Sequence, residues 1–520
     1  MSGGRNTVVA AVILALSLVS SAAVRVNAEE ASGATIADAV EQGHASRVRS
    51  LLEAGGDVNG AQVDGMTALH WAAYFDDAST AALLVEAGAK VNAENHYGVT
   101  ALSLAATNRN ASLVALLLDS GADANASLRG GETVLLTAAR TGSLAVVEAL
   151  LASGADPNAT ERREQTALMW AAADGHAAVV RALIDAGAEI DATLRSGFTP
   201  LFFAVREGHI DVVQALVTSG ADLNATLERV KDGPDGAVNN ASYRPVDDGM
   251  SSLLLAVRNG HFELAIELVK DGADPNDRRT GFTPLHTMTW VRRPDASDRG
   301  DPAPVGSGRL TSLQFVRAMV ALGADVNARL GEGVPRPPHT ASSFARKGST
   351  PFVLAADRAD AALMRQLLEL GADPFLPNEE GSTALMAAAG LGTTAPLEEA
   401  GTELEAFEAV QLLLALGADI DAVDHNGDTP MHGAAYANFP SVVHALAESG
   451  ADPTVWQRKN QRGLSPLFIA EGYRGGGFKP SRPTMDAVTT LMRLEGFSTE
   501  GPRPKIRDIY ETPAPTTQQP

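Results

Sequence analysis

Eleven histidines, 63 carboxylates and a scatter of serines are the side chains through which this chain could bind metal or move protons. Structural and catalytic zinc need several His, Cys or carboxylate ligands at close, regular spacing. The chain has no cysteine, and no two histidines stand at such a spacing. Without cysteine, disulfides, thiolate metal sites, covalent haem attachment and lipid modification at a cysteine are all excluded. The run Asp424-His425-Asn426-Gly427-Asp428 is rich in oxygen ligands, but it lacks the later bidentate Glu that closes a calcium loop. No Gly-x-Ser-x-Gly elbow occurs with a histidine and an acid in a workable order. Gly475-Gly476-Gly477 lacks the lysine and threonine of a phosphate loop and reads as a flexible insertion. Five Asn-x-Ser/Thr triplets begin at Asn110, Asn125, Asn158, Asn224 and Asn240. Three of those asparagines, Asn125, Asn158 and Asn224, fall in Gly-Ala-Asp-x-Asn turns, where the side chain is expected to bond the loop backbone. These residues predict no enzyme, no cofactor and no metal. The weaker alternative is an enzyme whose site lies in the insertions described below.

The elements that must position these residues repeat. Thr67, Thr100, Thr133, Thr166 and Thr199 stand 33 residues apart, each opening a near copy of one segment. A fixed period of this size means that one supersecondary unit is stacked on copies of itself. Gly197 to Asp222 shows the unit clearly. Gly197 permits a turn with positive φ, Thr199 can cap a helix, and Pro200 suits the first helical position. Leu201, Phe202, Ala204 and Val205 form a short helix that Gly208 ends. A second helix from about Ile210 carries Val212, Val213, Leu216 and Val217 at helical period. Gly220-Ala221-Asp222 closes it, and Asn224 begins an extended finger toward the next copy.

The segment GFTPLFFAVREGHIDVVQALVTSGADLNA resembles an ankyrin repeat. Similar openings start at Thr67, Thr100, Thr133, Thr166, Thr199, Ser251, Thr283, Thr350, Thr383, Thr429 and Ser465. The resemblance implies an all-α ankyrin-repeat solenoid of paired antiparallel helices with β-turn fingers. It covers an array of about eleven repeats over residues 64–498, preceded by an N-terminal capping repeat over 29–63 that lacks the threonine opening. Insertions interrupt the array near 227–248, 291–309, 330–347, 390–402 and 472–483. The last helix is expected at about Met485 to Leu494, followed by a tail over 499–520, rich in Pro and Thr and expected to be disordered. The resemblance also implies hydrogen-bonding roles within and between repeats for His70, His286 and His432, and for His44, His176, His209 and His261 after the inter-helix glycine. His96 and His425 sit at finger tips.

Residues 1–28 read as an export signal: Arg5 starts it, Thr7 to Val19 is apolar, and Val26-Asn27-Ala28 offers a cleavage site after Ala28. The alternative is an uncleaved anchor. The expected location is periplasmic or secreted, with no stable membrane insertion after cleavage. A net charge of −22 disfavours nucleic acid and anionic lipid as partners.

Ankyrin arrays generally bind protein partners on the concave side, through finger tips and inner-helix ends. From Thr133 to Thr350 those positions hold Arg129, Arg140, Arg162, Arg163, Arg195, Arg206, Arg258, Arg279, Arg346, Lys347 and Arg358. Their acids are Glu132, Asp174, Glu207, Asp247, Asp248 and Asp357, so 11 basic residues face 6 acidic ones, the reverse of the whole chain's 41 to 63. Phe198, Phe282 and Trp290 fall in the same set as candidate anchors. Tyr74, Phe75 and Tyr97 form a second, aromatic patch. The expected function is a protein-interaction module whose partner presents an acidic segment, either in an exported assembly or, alternatively, as the host target of a secreted effector.

Overall fold

The computed structural model describes residues 35–228, 249–294, 303–331, 344–396, 400–473 and 480–504. The segment 1–28, most of the insertion 227–248 and the tail beyond 504 lie outside them. So do parts of the other four insertions. The chain divides into two compact units, residues 1–167 and 168–520.

Each unit is built from helix pairs. In the first, Ala68–Tyr74 pairs with Ala78–Glu86, Ala101–Thr107 with Ala111–Asp119, and Val134–Thr141 with Leu144–Ala152. In the second, Pro200–Glu207 pairs with Ile210–Thr218, and the pattern runs on to Pro466–Ala470 with Arg482–Leu494. Among the described residues the only β pairing is a set of isolated antiparallel bridges that close fingers onto the capping residue, such as Ala61 to Thr67 and Thr226 to Ser251. Each unit is an all-α stack over its described residues, as the period predicts.

Local chemistry explains the helix starts. Thr199 is extended at φ −102°, and its hydroxyl accepts a hydrogen bond from the Phe202 amide while Pro200 occupies the first turn. Thr133, Ser251 and Thr350 cap in the same way. The first repeat departs from expectation, because it does have a threonine opening. The Thr35 hydroxyl accepts from the Asp38 amide at 3.1 Å and the Thr35 amide donates to the Asp38 carboxylate at 2.8 Å, a complete capping box. The last helix also begins earlier than expected, at Arg482, because Ser481 caps it and Pro483 fits its first turn.

Small residues let the inner helices approach. Ala72, Ala105 and Ala138 are wholly buried, as are Leu84, Leu117 and Leu150 on the outer helices. Gly208 has φ +79°, and a Cβ there would lie 2.5 Å from Nδ1 of His261 in the next repeat. Both backbone conformation and space therefore demand glycine.

Candidate interaction surface

Five of the eleven histidines, His70, His209, His261, His286 and His432, hold repeats together. In each Thr-x-x-His cap the Nδ1 of the histidine accepts from the backbone N–H of the threonine, at 3.1 Å for Thr67–His70, 3.4 Å for Thr283–His286 and 3.2 Å for Thr429–His432. Because an N–H can only donate, Nδ1 is the bare nitrogen and the proton sits on Nε2. Nε2 then donates to a carbonyl of the following repeat: Val99 at 2.9 Å, Ser349 at 3.2 Å and Arg458 at 3.1 Å. Burial pulls His286 and His432 down to about 4 and lowers His70. A buried neutral imidazole with both nitrogens engaged is a rivet between repeats. His209 and His261 act similarly, with Nε2 on the carbonyls of Ala173 at 3.1 Å and Arg206 at 3.0 Å.

The turn asparagines form a second ladder. Asn125 donates to the Gly154 carbonyl at 3.0 Å and accepts from the Asp156 amide at 2.8 Å. Asn59, Asn92, Asn276 and Asn327 make the same two bonds to their next repeats. Bonding to loop backbone was expected; bonding to the loop of the following repeat is what the structure adds. Neighbouring fingers are also tied directly, by His96 N–H to the Asp64 carbonyl at 2.9 Å and Arg162 N–H to the Gly130 carbonyl at 3.1 Å.

The oxygen-rich finger around Asp424 follows the same logic. Oδ1 of Asp424 accepts from the amides of Asn426 and Asp428, both at 2.9 Å, and Oδ2 accepts from the Ser382 hydroxyl at 3.0 Å. Burial pushes Asp428 up to about 6; the Asn460 hydrogen bond at 2.8 Å opposes that, and the neighbouring Asp424 charge adds to it.

The expected binding residues divide into three groups. Arg129, Arg162 and Arg163 in the first unit, and Arg195 and Arg206 in the second, are exposed. The Arg206 guanidinium lies 5.4 Å from the Phe198 ring centre and 5.1 Å from that of Phe203, and also bonds Glu207 at 3.2 Å. Tyr74, Phe75 and Tyr97 are exposed as well.

A second group lies at the surface with its contacts drawn mainly from its own repeat or the one before or after it. Arg140 pairs with Glu132 at 3.1 Å, Lys347 with Glu379 at 2.7 Å, and half-buried Arg258 lies against the Met250 sulfur. Arg279 grips both carboxylate oxygens of Asp277 at 2.9 and 3.2 Å and donates to the Asn224 carbonyl at 2.7 Å. Burial opposes ionisation of Asp277, yet the Arg279 hydrogen bonds outweigh it and hold that carboxyl below its usual range.

The third group corrects the sequence reading. Phe282 is 1% exposed and packs with Leu330 and Leu354, its ring 4.8 Å from that of Trp290, so it is core and Trp290 leans on it. The same position, just after the finger-tip glycine, is also buried in other repeats, as at Met66 and Met250. Arg346 and Arg358 are 8% and 5% exposed. Beside Arg358, a Cβ on Gly401 of the insertion 390–402 would lie 3.4 Å from the Arg358 carbonyl oxygen. Arg292 and Arg293 are consumed as well: Arg292 forks onto fully buried Asp360 at 2.7 and 3.0 Å, and Arg293 pairs with Glu405. Sequence reasoning missed these pairs because their partners lie 68 and 112 residues away.

Residues 499–504, expected to belong to the tail, are placed in the structure. Arg503 bonds Glu471 at 2.6 Å and lies over the Phe468 ring at 5.2 Å. Among the described residues no three His, Asp or Glu side chains converge as metal ligands, and no helix is long and apolar enough to cross a membrane.

Capped helix pairs, finger hairpins and imidazole rivets repeated at this period define an ankyrin array, and comparison with known proteins agrees. A family model for ankyrin repeats in sets of three matches residues 16–95, 36–128, 76–161, 135–226, 352–456 and 397–475, and a single-repeat model matches 248–279. The chain belongs to the ankyrin repeat family. It is 36% identical over 238 residues to mouse Ankyrin repeat and SOCS box protein 16, covering 42% of this chain and 46% of that protein. It is 37% identical over 138 residues to human Ankyrin repeat domain-containing protein 63, covering 26% of this chain and 33% of the relative. Mouse RelA-associated inhibitor is 35% identical over 129 residues, 24% of this chain and 14% of its own length. The chain spans less than half the length of each of these relatives. Among solved structures, the human ASB11 ankyrin repeat domain aligns with TM-score 0.38 and 25% identity, covering 47% of this chain and all of that domain. Ankyrin repeats form protein-interaction modules, and this chain has that architecture.

Proposed function

We propose that this protein is a non-enzymatic scaffold outside the cytoplasm that holds a protein partner through its finger and inner-helix residues. The observation that carries the reading is the set of exposed guanidiniums at finger tips and inner-helix ends in a chain of net charge −22. Arg129, Arg162 and Arg163 supply them in the first unit, Arg195 and Arg206 in the second. A planar guanidinium suits carboxylates and aromatic faces, so the partner chemistry that fits is an acidic segment. The name of one relative, RelA-associated inhibitor, describes association with another protein and is consistent with this reading. The enzymatic alternative has no support in the described residues, where the buried histidines are committed to the stack.

Location outside the cytoplasm rests on the apolar run Thr7 to Val19 and the small-residue site ending at Ala28. Cell fractionation tests it: retention in the envelope fits an assembly partner, release to the medium fits an effector, and a cytoplasmic pool removes both. For the surface, the partner is first captured from the native envelope and identified by mass spectrometry. Two charge-reversed variants, Arg162→Glu with Arg163→Glu and Arg195→Glu with Arg206→Glu, are then compared with the parent. Loss of capture with unchanged helical circular dichroism is expected, and undiminished capture by both variants rejects the guanidinium surface.

A further inference from the structure

The first unit also carries a surface of opposite character. The inner helix Ala68–Tyr74 ends in a knot of rings: Trp71 stacks on Phe75 with centres 5.7 Å apart, and Tyr74 meets Phe75 edge-on at 5.1 Å. Tyr74 and Phe75 are 37% and 51% exposed, and Tyr97 at the next finger tip is 67% exposed. Rings of this size are ordinarily turned inward, yet three are left in water here, two at an inner-helix end and one at the next finger tip. The knot is rigid. Trp71 Nε1 donates to Gln62 at 2.7 Å, and the Gln62 amide donates in turn to Asp38 at 2.8 Å and Glu41 at 2.7 Å.

Its surroundings are acidic. From Thr35 to Arg109 there are nine carboxylates and four basic residues. Arg47, Arg49 and Lys90 lie on an outer helix or in the loop after one, whereas Arg109 is exposed in the turn after the inner helix Ala101–Thr107. Asp64 and Glu94 are on the fingers and Asp76 follows Phe75 directly. The next basic residue along the chain is Arg129, whose backbone lies beside Gly98 on the following finger.

Aromatic faces attract guanidinium and ammonium groups, and carboxylates around them select for positive charge and against negative. We propose that this face holds a basic segment of a second protein, with an Arg or Lys side chain laid over Phe75 or Tyr97 and its charge shared with the flanking carboxylates. This rests on the reading of fingers and inner helices as the binding face, but it assigns the repeats opened by Thr67 and Thr100 a partner of opposite charge to that of the arginine-bearing fingers.

Three fluorescein-labelled peptides of equal length, alternating Arg-Gly, Ser-Gly and Glu-Gly, are titrated with the full chain by fluorescence anisotropy. The paired substitution Phe75→Ala with Tyr97→Ala removes two exposed rings and no charge, so general attraction of an acidic chain for cations is preserved. The Arg-Gly peptide is expected to bind the parent and to bind this variant about tenfold more weakly, with circular dichroism unchanged. Equal binding by variant and parent, equal affinity for the Ser-Gly peptide, or no binding of the Arg-Gly peptide each overturns the proposal. Arg162→Glu with Arg163→Glu should weaken only the Glu-Gly peptide; failure of that arm alone counts against the arginine fingers and leaves the aromatic face standing.

Discussion

At the scale of single residues, the side chains with the most chemical potential are spent on holding repeats together. His286 satisfies the Thr283 amide and the Ser349 carbonyl while fully buried. Replacing it with Ala strands both groups and opens a cavity, so urea denaturation of His286→Ala should show a loss of about 2–4 kcal/mol. Asn125→Ala removes an exposed pair of bonds, and the same measurement should show only about 1 kcal/mol. The histidine roles were legible from the resemblance, because Thr-x-x-His is a local pattern. The fate of Phe282 was not, because local sequence says nothing about Leu330 and Leu354 packing with it.

At the scale of the repeat, protonation separates copies that look alike. His286 and His432 are held near 4 against an ordinary 6.5. Between those values the unfolded chain takes up a proton that the folded repeat refuses. Stability is therefore complete above pH 6.5 and is lost as pH falls toward 4, by roughly 3 kcal/mol per histidine. Asp428 works in the other direction: held near 6 against 3.8, it takes up its proton first in the folded state. Its repeat gains about as much, roughly 3 kcal/mol, as pH falls through the same range. The repeat opened by Thr429 is thus compensated and that opened by Thr283 is not. Hydrogen exchange at pH 7 and pH 4.5, corrected for intrinsic rates, should show protection lost around 283–292 and largely kept around 430–437. The helix-ending glycine is equally specific. Gly208→Ala forces a left-handed alanine into His261, and thermal melts should show a destabilisation of about 2 kcal/mol or more.

At the scale of the whole molecule, stability in a stack is a sum of neighbour contacts. His70→Ala should raise amide exchange in residues 35–133 and leave residues 352–475 unchanged, as read by mass spectrometry. A uniform rise along the chain would contradict nearest-neighbour stacking. The insertions are the elements that make one copy differ from the next, since Arg292 and Arg293 carry ion pairs from one of them into later repeats.

The amino-acid sequence determined the period, the caps, the imidazole rivets and the family, because each depends on residues a few positions apart repeated many times. The tertiary structure decided which surface positions stay open. Arg346 and Arg358 occupy the same repeat positions as exposed residues elsewhere, yet they are buried, while Arg195, Phe75 and Tyr97 are not. Solvent access depends on what a neighbouring copy or insertion lays across a side chain, and those covering residues lie tens of positions away along the chain.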